Sequence, residues 1–294
     1  MAVAASMKNL IDTAHIIESK GTHKYSIIWL HGIGNSSDTY KDIFTQIQPP
    51  NTRIILPNAP QQWITIQGSM AASSTKKMIE NAQIIPSKGV HRYTIIWIYG
   101  LGGNADGYTE VFIKMQPPNT RIILPRATKR WVTILGRQYY LESWWERDDA
   151  CVEEGTVIMD KLRELIDDEI KLVKNASNII IGGFSQGGCL SLTTGLTYSK
   201  QQLGGIICCG GIFINEKKLL EKISEYSKTI PILTIHGKKD DIFKWNDVEA
   251  GLELLKQKGV GDNMEVLAED DVEHIISPQG FDLISKFIKK QFKI

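Results

Sequence analysis

The sequence has no long apolar run. Nowhere do about 18 apolar residues follow one another, which excludes a transmembrane helix. It has almost no charge imbalance: 34 basic and 33 acidic side chains leave a net charge of +1. No basic face therefore points to nucleic acid as a partner. It has little cysteine, four residues in all, Cys151, Cys189, Cys208 and Cys209. None lies in a metal-ligand spacing, so they read as reduced thiols and the compartment as cytoplasmic. The opening MAVAASMKNL has no basic leader of a secretory signal. Ala2 excludes N-myristoylation, and no cysteine precedes Cys151 to carry an N-terminal palmitoyl anchor. The basic run KFIKKQFK at 286–293 reads as a solvated helix end rather than a membrane patch.

What the sequence has instead is repetition. QPPNTRIILP at 48–57 returns unchanged at 116–125, an offset of 68. With that offset, 8–68 lies over 76–136 without a gap, and 33 of the 61 positions are identical. KYSIIWLHGIGNSSDTY (24–40) faces RYTIIWIYGLGGNADGY (92–108). Each copy reads as strand, glycine turn, short helix, strand. SIIWL, TIIWI and both TRIILP stretches are β-branched apolar runs suited to strands buried on two faces. Two copies do not make a solenoid, which needs three or more shorter units to bury a continuous core. This is a partial duplication. The first copy runs into SMAASSTKK, small and polar, a linker. The second runs straight into helix and strand signals. The chain thus divides into an extra N-terminal βαβ fragment, 1–70, and a main domain, 75–294. Three accounts of the fragment stay open. It extends the sheet or joins two chains as a homodimer; or its His31 and Ile33 exchange with Tyr99 and Leu101; or the copies are alternative exons joined in one chain.

From residue 92 onward, strands and helices alternate. Strands are expected at 93–98, 120–125, 178–182, 203–209, 231–236 and 263–268. Helices are expected near 106–115 and at 153–174, 186–198, 216–226, 246–257 and 278–292. On helix 153–174, Val157, Leu162, Leu165, Ile166 and Ile170 share one face. The pattern predicts an α/β fold: a mostly parallel central sheet with helices on both faces. Chemistry in such folds sits at the carboxyl ends of the strands. The stretches near 137–150 and 210–216 read as loops.

NIIIGGFSQGG (178–188) carries Gly183-Phe184-Ser185-Gln186-Gly187 between an apolar strand and an apolar helix. In the G-x-S-x-G turn the serine backbone is strained and closely packed, so its neighbours must be small. The helix after it aims free amides and a positive dipole end at the reacting centre. Ser185 is therefore the candidate nucleophile. On an α/β-hydrolase sheet the chain order is serine, acid, histidine. Only His236 and His274 come after Ser185. His236 leaves no credible acid between itself and the serine, whereas His274 sits on a strand-to-helix loop, where a general base must be. The loop GKKDDIF offers Asp240 and Asp241 as the group that orients the imidazole, with Asp240 preferred.

IIWIYGLGGNADGY, RIILPRA, SWW, IIIGGFSQGG, ILTIHGKKDD and EHIISPQGFDLISKFI occur in that order through 75–294. Together they resemble the acyl-protein thioesterase / lysophospholipase / carboxylesterase family of the α/β-hydrolase superfamily. The resemblance implies cleavage of acyl thioesters or carboxylic esters by Ser185, His274 and Asp240, without metal or cofactor. It implies an oxyanion hole from the backbone amides of Leu101 and Gln186, and an acyl site beside Trp144. Substrates would be acylated proteins, lysophospholipids or small esters, with transient contact to a membrane surface. The chain also departs from the family. Tyr99-Gly100 stands where the family favours His-Gly, which the first copy keeps as His31-Gly32. Lys238 replaces an aspartate, Phe243-Lys244 a Val-Pro, and Glu273 the glycine before the base. These departures motivate the alternative of a catalytically inactive scaffold or acyl-group binder. GLGGNADG at 100–107 does not meet the G-x-G-x-x-G spacing of a dinucleotide site.

Overall fold

The computed structural model describes residues 14–29, 37–57, 81–134, 136–145, 151–214 and 217–294, the side chains of 39 and 151–154 excepted. The chain forms two compact units, Met1–Ser69 and Met70–Ile294. His31, Ile33 and the linker stretch 69–77 lie outside the described residues.

The first unit holds β1 (His15–Ile17), β2 (Tyr25–Ile28), α1 (Asp38–Ile47) and β3 (Thr52–Leu56). Its sheet order is β1-β3-β2, with β1 antiparallel and β2 parallel to β3. The fragment is thus more than βαβ, because β1 adds a leading strand. With only three residues, β1 is too short to show an alternation.

The second unit runs β4 (Gln83–Ile85), β5 (Tyr93–Ile98), α2 (Ala105–Met115), β6 (Thr120–Leu124), β7 (Thr128–Ile134) and β8 (Arg137–Ser143). It continues with α3 (Cys151–Val173), β9 (Ile179–Phe184), α4 (Gln186–Thr197), β10 (Gly205–Cys209) and α5 (Lys217–Leu220). It ends with β11 (Ile232–Gly237), α6 (Trp245–Gln257), β12 (Met264–Glu269) and α7 (Pro278–Phe292). Seven strands form one sheet in the order β12-β11-β10-β9-β5-β6-β4. Every pairing is parallel except that of the edge strand β4 with β6. The expected mostly parallel sheet is observed. Among the described residues, no helix is long and apolar enough to cross a membrane.

The two copies share one register. His15 pairs with Leu56 as Gln83 pairs with Leu124, and Tyr25 with Thr52 as Tyr93 with Thr120. Gln48 donates to the carbonyls of Glu18 and Thr52, and Gln116 donates to those of Pro86 and Thr120. Asn51 and Asn119 both take positive φ, 57° and 58°. Burial differs sharply, however. Ile96 and Trp97 are 0% exposed, while their counterparts Ile28 and Trp29 are 64% and 45% exposed. The cause is the neighbours. β5 lies between β6 and β9, whereas β2 pairs with β3 alone among the described residues. A buried carboxylate also ties α3 to the second copy. Glu169 accepts a 2.8 Å bond from Thr94 and lies 3.5 Å from Arg121. In the first copy the matching Arg53 pairs with Glu18 instead.

Two local expectations give way to tertiary contacts. The helix expected at 216–226 stops as the single turn α5, with a 3-10 turn next at Glu225–Lys228. There the Ser224 amide (3.0 Å) and the Ser227 hydroxyl both donate to the Leu196 carbonyl at the end of α4. The stretch from 137 read as loop is instead β8, paired antiparallel with β7 in a hairpin of its own.

Candidate active site

The candidate residues converge at the carboxyl ends of neighbouring strands. Leu101 comes after β5, Ser185 after β9, Asp240 after β11 and His274 after β12. Ser185 sits at φ 56°, ψ −122°, a conformation strained for any residue with a Cβ. The flanking glycines explain why the chain tolerates it. A Cβ on Gly187 would lie 1.9 Å from the Ile98 carbonyl oxygen, and one on Gly183 would lie 2.4 Å from the same atom. The turn is therefore pressed against β5, which no side chain at either position allows. Its backbone is held by the Ser185 amide donating to the Cys209 carbonyl at 2.9 Å. Burial across α4 is complete, from Gln186 to Thr197, so the helix start is fixed beneath the serine.

Three side chains form one hydrogen-bonded line. His274 Nε2 is 2.8 Å from Ser185 Oγ, and His274 Nδ1 is 2.6 Å from Asp240 Oδ2. The other carboxylate oxygen, Oδ1, accepts the amides of Ile242 and Phe243 at 2.8 and 2.9 Å. The Asp240 side chain is fully buried, while that of His274 keeps 19% exposure. Phe184 packs against the imidazole with ring centroids 4.8 Å apart. Asp241, the alternative acid, is exposed beside this line.

The acid and histidine loops are bound together. Lys238 and Lys239 donate their amides to the Glu269 and Val272 carbonyls at 2.8 and 3.0 Å. Their ammonium groups pair with Asp270 and Asp271 at 2.6 and 2.8 Å. Those pairs are well exposed and hold little energy; the backbone bonds and the close approach at Gly237 do more. A Cβ on Gly237 would fall 2.1 Å from the Val272 carbonyl oxygen. Lys238, where the resembled family has aspartate, is thus absorbed by a partner on the facing loop.

The loop after β5 lies against the serine. A Cβ on Gly100 would be 2.8 Å from Ser185 Cβ. Among the described residues, no backbone carbonyl outside the regular elements accepts the Leu101 or Gln186 amide. Tyr99 precedes this loop. Its ring is buried, its hydroxyl donates to the Glu142 carboxylate and accepts the Ala127 amide at 2.7 Å. Burial and the Glu142 carboxylate raise its pKa, so it stays a neutral phenol. The Glu142 carbonyl in turn accepts the Gly102 amide at 2.8 Å. The phenol therefore ties the loop to the hairpin.

Trp144 is placed behind the loop rather than on an open surface. It is 1% exposed, and its indole N–H donates to the Tyr99 carbonyl at 2.7 Å. The Gln186 side chain completes the support, accepting the Trp144 amide at 3.2 Å and donating to the Trp145 carbonyl at 3.2 Å. Sequence reasoning does not find Tyr99, Glu142, Ala127 and the Gln186 side chain as a unit, since their partners are distant along the chain. Tyr99→Phe removes one donor and one acceptor from this part-buried network. It is expected to lower unfolding free energy by about 1–3 kcal/mol in a urea titration.

A surface cavity of about 600 Å³ lies at the opposite end of the strands, lined by Tyr93, Gln202, Pro231 and Phe292 among others. It has no part in this arrangement. Among the described residues, no three His, Cys, Asp or Glu side chains are grouped to hold a metal ion.

The chain is similar to known proteins. The family model described as phospholipase/carboxylesterase matches residues 11–74 and again 79–292. The acyl-protein thioesterase 1 homolog 1 of Dictyostelium discoideum is 31% identical over 227 residues, covering 73% of this chain and 97% of that protein. The crystal structure of Arabidopsis thaliana SOBER1 superposes with a TM-score of 0.61 at 26% identity, over 68% of this chain and 99% of that one. The crystal structure of Zea mays acyl-protein thioesterase 2 gives 0.63 at 22% identity, over 71% and 98%, a likeness of fold.

Proposed function

Because the chain belongs to the phospholipase/carboxylesterase family of α/β-hydrolases, enzymes acting on esters and thioesters, we propose that its second unit uses Ser185, His274 and Asp240 as a catalytic triad. The observation that carries this reading is the line Ser185 Oγ–His274–Asp240, at 2.8 and 2.6 Å. His274 Nε2 takes the Ser185 proton as Oγ attacks the acyl carbonyl. Asp240 holds the other ring nitrogen protonated and stabilises the imidazolium. The amides of Leu101 and Gln186 receive the oxyanion. Collapse expels the thiol or alcohol with the proton from His274, leaving an acyl-enzyme on Ser185. Water, deprotonated by the same imidazole, then releases the acid.

The substrate class rests on relatives named acyl-protein thioesterase and carboxylesterase: acyl thioesters on protein, with carboxylic esters such as lysophospholipids as further substrates. The second unit carries this activity. The first copy has the oxyanion-loop sequence but no serine turn, acid or base after it, because its strands lead to the linker.

The test is a fluorophosphonate probe, which bonds only an activated serine. The full chain is expected to take one adduct, mapped by mass spectrometry to the peptide bearing Ser185. A folded chain that takes none would overturn the triad and leave an inactive acyl-binding scaffold as the better reading.

A further inference from the structure

His236 leaves no credible acid between itself and Ser185 and is not the proposed base, but it has a definite place in the structure. It is the fifth residue of β11, with its side chain 0% exposed. Its Nε2 is 2.7 Å from the Phe243 carbonyl oxygen and 3.3 Å from Asp240 Oδ2. That carboxylate oxygen is the one that accepts His274 Nδ1 at 2.6 Å. Two histidines therefore converge on one oxygen, and only His274 reaches the serine.

We infer that His236 is a positioning residue of the proposed reaction, a buried N–H donor that holds the acid and its loop in place for His274. This inference rests on the triad reading above. Both groups facing Nε2 are oxygen acceptors, so Nε2 carries the hydrogen. The other nitrogen, Nδ1, is buried and has no hydrogen-bond partner among the described residues. The ring is thus the neutral Nε2–H tautomer. Burial favours that form, against the pull of the Phe243 carbonyl and of Asp240. Neutrality matters, because a cation here would oppose the imidazolium that must form on His274. The bond also closes a ring of contacts. Phe243 donates its amide to Asp240 Oδ1 at 2.9 Å and gives its carbonyl to His236. The strand end, the loop and the carboxylate are locked through one imidazole.

The experiment compares three substitutions in the full chain, with kcat and KM measured on a soluble acyl thioester and folding checked by thermal melting. Gln can place an amide N–H near the Nε2 position; Asn is too short, and Phe fills the space without a donor. His236→Gln is expected to keep kcat within about threefold, while His236→Asn and His236→Phe lose roughly 10- to 100-fold, the scale of one lost buried hydrogen bond, here that to the Phe243 carbonyl, together with the 3.3 Å contact to Asp240. KM stays within about twofold in all three, since His236 touches no substrate in the proposed reaction. Full kcat in the Asn and Phe variants, or a folded Gln variant as slow as Phe, would overturn the inference and leave the triad standing. Nitrogen-15 NMR of the unmutated chain gives an independent check. A neutral Nε2–H ring supports the inference, and an Nδ1–H or doubly protonated ring at neutral pH refutes it. Turnover by the unmutated chain that does not depend on Ser185 would sink both readings.

Discussion

Ser185→Ala is expected to lower kcat for a soluble acyl thioester by a factor of about 10^5 to 10^6, the scale seen when a triad nucleophile is removed. KM should stay within a few-fold, because Ser185 Oγ bonds His274 rather than any part of a substrate's acyl chain. The melting temperature should hold. Alanine keeps the Cβ that Gly100 already accommodates, so neither the packing nor the backbone at φ 56° changes. What is lost is the hydroxyl at the end of the His274 line. The backbone donors at Leu101 and Gln186 remain, so residual turnover above the uncatalysed rate is expected. A variant that keeps more than a hundredth of the activity would show that another group attacks the carbonyl.

The loss should be this steep because the site is built by elements that cannot move independently. The serine turn is pressed onto β5 through Gly183 and Gly187, and the acid and histidine loops are joined by backbone bonds. These parts were legible in the sequence. Strands β5, β9 and β11 carry apolar, β-branched runs, and in this unit those runs are buried on both faces. Each candidate residue comes just after one of the parallel strands, where such folds put their chemistry.

Other parts were not legible, for physical reasons. β1 and β4 have three residues each, below the length at which alternation shows. The hairpin β7–β8 has a turn glycine, Gly136 at φ 75°, but its strands mix Lys, Arg and Gln with Trp and Tyr. Without one clean apolar face, the period of two was hidden. The segment after residue 216 has helical composition, but the chain beyond Leu220 bonds through Ser224 and Ser227 to Leu196, far away in sequence. Tyr99 departs from the family pattern of the oxyanion loop, yet its hydroxyl is satisfied by Glu142 and Ala127, 43 and 28 residues away. No local pattern carries a bond of that reach. The duplication shows the same limit from the other side. Two related copies fold to one register, but a copy is buried only where further strands and helices pack on it, as β9 and α3 do on the second.

The choice between Asp240 and Asp241, open in the sequence, becomes a second large prediction. Asp240→Asn is expected to lower kcat by about 10^4, and Asp241→Asn to change it less than threefold. The asparagine keeps the shape, and its amide oxygen can still take the Ile242 and Phe243 amides now bound by Oδ1. The amide nitrogen then faces His274 Nδ1 as a donor. The imidazole must answer with a lone pair, so its proton moves to Nε2, where it meets Ser185 Oγ and can accept nothing. The damage is thus to the tautomer rather than to the fold, and melting should shift little. Asp241 is exposed, and its neighbour alone holds the histidine. Equal losses in the two variants would mean that the acid loop is rearranged when substrate binds. A loss confined to Asp241→Asn would assign the acid to the other carboxylate and remove the reason for His236 to be where it is.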